Sequence, residues 1–233
     1  MRHYLKTLFQ NFSDSNYYYC KGIVGSGGRF YRSGTLKDNL SAPIHHRDHH
    51  TTPSSRKLPK TPDLIYVPRL FKWLRNKLKF KMLQNTWDPE FSEGAFIYGT
   101  TRAVCKITDI INRDKPEELE NLLTFSAKMK LVDYMTTRLN KTQKEIIALR
   151  PDDIKILVPL NVSLMKNGQY KNCRVTMRIL GLKWHEHSNM LKLVLVALQT
   201  EFLRDYSQGH TNSEWTISAF DVLECGMLTQ IPS

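Results

Sequence analysis

Hydrophobic and polar positions alternate with a helical period through residues 67–83, VPRLFKWLRNKLKFKML. At about 100° per residue, Val67, Leu70, Phe71, Leu74, Leu78 and Met82 fall on one stripe. Arg69, Lys72, Arg75 and Lys79 lie opposite it, and Trp73 and Phe80 flank it. Lys77 and Lys81 sit at its edge, where long side chains can carry their charge outward. Pro68 suits a first helical turn. The segment 63–86 therefore reads as one basic amphipathic helix.

Helical periodicity continues into residues 87–233. Asp88-Pro89-Glu90 predicts an N-cap, a first-turn proline and an acid at the positive helix end. Phe91, Ala95, Phe96, Thr100, Ala103, Val104, Ile107, Ile110 and Ile111 then recur at helical spacing. Asp114-Lys115-Pro116-Glu117 predicts a second helix with Leu119, Leu122 and Leu123 inward, and Ala127–Leu139 a third. A short helix or turn follows at Lys141–Leu149. The period then drops to two. Ile154–Met165, Tyr170–Leu182, Met190–Phe202 and Trp215–Leu223 read as strands, the first two joined at Asn167-Gly168. Cys173, Val175, Met177 and Ile179 mark the buried face of the second. Helices first and an antiparallel meander afterwards define an α+β fold, with helices packed on a four-stranded sheet.

Charge divides the chain in the same place. Residues 1–86 carry 16 Lys/Arg and 4 Asp/Glu, whereas residues 87–233 carry 18 of each. The net charge of +12 thus belongs to the leader and the first amphipathic segment, which argues against a basic nucleic-acid-reading domain. In MRHYLKTLFQNFS, Met1, Leu5, Leu8, Phe9 and Phe12 share a helical face, and no acid precedes Asp14. That composition predicts a mitochondrial transit peptide over 1–33, with Arg29-Phe30-Tyr31-Arg32-Ser33 resembling a matrix processing site. Residues 34–62 carry four prolines and few apolar side chains, and read as a disordered linker. His45, His46, His49 and His50 lie in that linker without fixed geometry or a nearby cysteine.

Chemistry is sparse. Cys20, Cys105, Cys173 and Cys225 are too dispersed for a zinc pattern or a disulfide framework. No phosphate loop, dinucleotide fingerprint, HExxH or GxSxG occurs. Asp152-Asp153 reads as a solvated turn, and His185 and His187 as loop residues between strands. No catalytic residue, metal site or cofactor is proposed. The candidate binding residues are Arg69, Lys72, Trp73, Arg75, Lys79 and Phe80, a cationic and aromatic set suited to an anionic membrane surface. The same cations could meet ribosomal RNA, or the helix could pack on its own domain.

Residues 62–233 resemble a known family. PDLIYVPRLFKWLRNKLKF followed by WDPEFSEGAFIYGTTRAV is similar to the start of the domain found in the membrane-anchoring subunit of the mitochondrial import motor. There a cationic amphipathic helix leads into Asp-Pro-x-Phe and an acid, here Asp88, Pro89, Phe91 and Glu93. The run Glu201-Phe202-Leu203-Arg204-Asp205-Tyr206-Ser207-Gln208-Gly209, with Trp215-Thr216-Ile217 after it, is similar to the branch that interacts with the matrix AAA peptidase. The resemblance implies a curved, nuclear-transport-factor-like cone, a matrix location peripheral to the inner membrane, and no catalytic residues. It also implies binding to the membrane-bound matrix AAA protease. Newly imported inner-membrane proteins would be its clients, including the calcium uniporter regulator. The reading drawn is a non-enzymatic adaptor or chaperone. The alternatives are a mitoribosome component or receptor, and an enzyme acting inside the cone.

Overall fold

The computed structural model describes residues 17–21, 59–187, 190–207 and 214–228. A short strand, β1 (Tyr17–Lys21), pairs antiparallel with β2 (Asp63–Val67). Four helices follow: α1 (Leu70–Thr86), α2 (Glu93–Arg113), α3 (Phe125–Thr137) and α4 (Lys141–Ile147). Four long strands complete the fold: β3 (Ile154–Asn167), β4 (Tyr170–His187), β5 (Met190–Asp205) and β6 (Thr216–Leu228). These last four form one antiparallel sheet in chain order, β3-β4-β5-β6. The architecture is the α+β fold that the change of period predicts.

The β3–β4 hairpin closes at the expected place. Asn167 pairs with Tyr170, leaving Gly168 and Gln169 as the loop. Gly168 has φ +58, a left-handed conformation that costs glycine nothing. Cys173, Val175, Met177 and Ile179 of β4 are all fully buried and face the helices. Val194, Val196 and Leu198 of β5 continue that surface. The opposite sheet face carries a smaller cluster, Ile156, Leu180 and Ala197, on which Leu64 and Tyr66 of β2 pack.

Several expectations change. Residues 63–67 are strand, not helix, so α1 starts at Leu70. The alternating DLIYV supplies the strand period, and the residue before Pro68 is pushed towards extended backbone. Asp88 does not cap α2. Ser92 does, its hydroxyl accepting from the Ala95 amide at 3.4 Å, and Glu93 is the first-turn acid. Residues 116–119 make only a 3-10 turn, although Leu119 and Leu123 are buried as expected. His185 and His187 lie within β4, which runs five residues past its expected end. Asp152 and Asp153 form a 3-10 turn in which Asp153 accepts from the Arg150 amide at 2.9 Å. The leader stripe at 1–13, the Arg29–Ser33 processing signal and the linker histidines lie outside the described residues.

Burial gives two cysteines a role in stability. It pushes the Cys173 thiol up to about 12 and the Cys225 thiol up to about 11, from an ordinary value of 9.0. Above pH 9 the unfolded chain releases these protons and the folded chain does not. The stability they support is therefore complete below about pH 9 and falls as pH rises towards 11–12. Each thiol removes about 1.4 kcal/mol per pH unit in that window. Between about pH 9 and 10 the wild type should lose about 2 kcal/mol more than a Cys173→Ala/Cys225→Ala variant, measured by urea unfolding. Equal slopes in the two proteins would refute this account.

Candidate functional site

The inner side of α1 is small. Only Asn76, Phe80 and Leu83 are buried, and they lie on the side of the helix away from the apolar stripe. Asn76 sits on the open edge of β3. Its Nδ2 donates to the Pro159 carbonyl at 2.9 Å, and its Oδ1 accepts from the Val162 amide at 3.3 Å. Lys79 Nζ adds a bond to the Val162 carbonyl at 2.6 Å. An edge strand leaves such groups unpaired and invites foreign strands; here α1 satisfies them. The segment before α3 serves the other edge, with the Thr124 amide donating to the Ile217 carbonyl at 2.9 Å.

Asn76→Ala would leave both β3 backbone groups without their partner. It should cost about 2–3 kcal/mol and lower the melting temperature by about 4–10 °C. A melt unchanged from wild type would mean that the edge is covered by other means.

Below Asn76, Phe80 stacks on Phe91 at 5.4 Å between centroids and meets Phe96 at 6.2 Å. Trp215, half-buried, closes the aromatic cluster 4.8 Å from Phe96. Phe80 is 4% exposed. It is a core residue and leaves the membrane-binding set. Lys79 is half-buried and committed to β3, so it leaves that set as well.

The outward side of α1 is apolar. Phe71 is 91% exposed, Leu70 74%, Leu78 58% and Leu74 50%, with Met82 and Trp73 also exposed. Ile65 and Val67 of β2 extend the surface. Arg69, Arg75 and Lys81 are exposed around it, and Lys72 is half-buried. No acidic residue occurs in α1. Lys77 turns away, its Nζ 2.7 Å from the Glu93 carboxylate and 5.9 Å from the Trp73 ring centroid. Between α1, α2 and β3 lies a cleft of about 220 Å³ whose lining includes Arg69, Lys72, Trp73 and Leu157. An exposed apolar stripe this long, rimmed by cations, marks an interaction surface. No described helix is long and apolar enough to cross a membrane.

A second constellation joins the two segments that carry the family resemblance. Asp88 is buried, and its Oδ2 accepts from Arg204 Nη1 and from the Tyr206 hydroxyl, each at 2.9 Å. Burial first, and then the hydrogen bond to Asp88, push the Tyr206 phenol up. Arg204 also lies 5.0 Å over the Tyr206 ring. The cluster ties the α1–α2 turn to the end of β5, and it is invisible in sequence because its members are over 110 residues apart. Asn76 was missed for a related reason: an asparagine in a basic helix carries no signal until its strand is in place. Among the described residues no three His, Cys, Asp or Glu side chains gather as a metal site requires.

Fold and site define a class: an α+β domain whose leading basic helix covers a sheet edge with one side and offers an apolar, cation-rimmed surface with the other. No protein-family model matches the chain, and no curated protein matches it.

Proposed function

We propose that this protein is a non-enzymatic adaptor of the mitochondrial matrix, held peripherally on the inner membrane by the outward side of α1. The observation that carries the reading is the orientation of that helix. Its larger apolar stripe is turned away from its own core, with Arg69, Arg75 and Lys81 around it and no acid within it. Apolar side chains sunk at the headgroup boundary, with cations meeting anionic lipid, are how an interfacial helix binds. From the family resemblance we take the remaining elements: a cone-shaped domain, the membrane-bound matrix AAA protease as partner, and newly imported inner-membrane proteins, such as the calcium uniporter regulator, as clients to be sorted or protected.

A mitoribosome partner is the second reading, favoured by the same exposed cations. Phosphate contacts require charge alone, whereas Phe71, Leu70 and Leu78 ask for an apolar partner, so lipid is the better fit. Deleting residues 1–33 should abolish uptake by isolated mitochondria, because the acid-poor amphipathic address lies there. Import of the truncated chain would refute the transit-peptide reading of residues 1–33. Loss of ribosomal-subunit co-sedimentation at modest salt supports the lipid contact. Co-sedimentation with the large ribosomal subunit through high-salt washing would overturn it in favour of the ribosome.

A further inference from the structure

We propose that the β2 edge occupied by β1 is a strand-addition site. The chain's own leader fills it until the leader is removed, and it then takes an extended, aromatic-rich segment of another polypeptide. The inference rests on the reading of residues 1–33 as a removable leader.

The pairing is antiparallel over five positions: Tyr17 with Val67, Tyr18 with Tyr66, Tyr19 with Ile65, Cys20 with Leu64 and Lys21 with Asp63. Three tyrosines in succession are strong strand formers. Lys21 stands opposite Asp63 in the register. Leu64 and Tyr66 seat β2 on the outer sheet cluster of Ile156, Leu180 and Ala197.

A two-stranded ribbon of this length is marginal in water by itself. What favours β1 is the covalent tether through residues 22–62, 41 residues long. Its closure entropy grows only logarithmically with length, so β1 competes at an effective concentration of at most about a millimolar. The Arg29–Ser33 processing signal lies inside that tether. A cut there makes the pairing bimolecular, so the leader loses the advantage of its tether and competes with other segments only by its own concentration. β2 then presents an open edge, its own seat unchanged. The incoming segment would run beside Ile65 and Val67 and towards Leu70 and Phe71 of α1, all exposed. Main-chain bonds would supply affinity irrespective of exact sequence, and aromatic or β-branched side chains the preference. An unfolded client offers such a segment; a folded one does not.

The pairing is tested first in the full-length chain. Oxidation of a Leu64→Cys variant should link Cys20 to position 64, whereas Val67→Cys, three pairs away, should not link. Because Leu64 is partly buried, a Tyr17→Cys/Val67→Cys variant with Cys20 replaced by Ser, at an exposed β2 position, serves as an independent pair. The exchange is then tested in a full-length chain carrying a protease site between residues 34 and 58. A fluorescent peptide spanning residues 14–24, with Cys20 replaced by Ser, should bind at least tenfold more tightly after cleavage and removal of the leader. A scrambled peptide should not gain. Equal affinity before and after the cut, or no cross-link above the Val67→Cys control, overturns the proposal. These measurements need no mitochondria. If import survives deletion of residues 1–33 while the cut chain still captures the peptide, the strand site stands and only the leader reading falls.

Discussion

Glutamate in place of Phe71, Leu74 and Leu78 should detach the protein from cardiolipin-containing vesicles and leave its thermal melt unchanged. All three side chains point outward on α1 and are at least half exposed. Sinking each into the lipid boundary is worth about 1–2 kcal/mol. Each new carboxylate also faces a negative surface, at about 1 kcal/mol per charge. Together the change is about 6–9 kcal/mol, or roughly four to six decades in partition coefficient at low salt. Exposed surface substitutions away from caps and cores stay within about 0.5 kcal/mol of neutral, so stability should not move. Charge reversal at Arg69 and Arg75 should weaken binding less, and increasingly less as salt rises. Reversal at Lys79 would be ambiguous, since its ammonium is bonded to the Val162 carbonyl. Vesicle pelleting that survives the triple glutamate variant would remove α1 as the membrane contact.

Asp88→Ala should be the most damaging single substitution in the Asp88 cluster. It deletes the acceptor of both the Arg204 guanidinium and the Tyr206 hydroxyl. Arg204, three-quarters buried in its side chain, would keep its charge without this partner. Breaking a buried pair from one side costs about 3–5 kcal/mol, or roughly 6–20 °C in melting temperature for a domain of this size. Asp88→Asn should fall between, because the amide oxygen can still accept from Tyr206 while the charge is lost. An Asp88→Ala/Arg204→Met double variant should recover part of the loss, since an apolar replacement removes both buried charges together. A single variant within about 1 kcal/mol of wild type would show that the cluster does not hold the α1–α2 turn to β5.

What could be read from the sequence follows from the range of the interactions involved. Periods of two and of about 3.6 placed β3 to β6 and the α2 and α3 helices within a few residues. The glycine at 168 announced its hairpin because only local backbone conformation was at stake. The alternation of Cys173, Val175, Met177 and Ile179 identified the buried sheet face. Periodicity also had limits at short range. DLIYV and the helix after it run together without a break in hydrophobicity, so the strand at 63–67 was absorbed into the helix.

Which side of α1 meets the core was a tertiary decision. On the sequence alone the helix could lay its apolar stripe on a membrane or pack it on its own domain. The fold turns the stripe outward, because the edge of β3 needs hydrogen-bond donors and acceptors more than it needs hydrocarbon. Asn76 and Lys79 meet that need, Phe80 fills the aromatic gap beside Phe91, and the stripe is left facing outward. The same holds for Asp88, whose proline context suggested a helix cap. Arg204 and Tyr206 claim it from the far end of β5, a pairing that exists only once the sheet has brought the two ends of the domain together. Short-range periodicity is written in the chain. The satisfaction of buried polar groups depends on neighbours distant in sequence, and only the assembled structure supplies them.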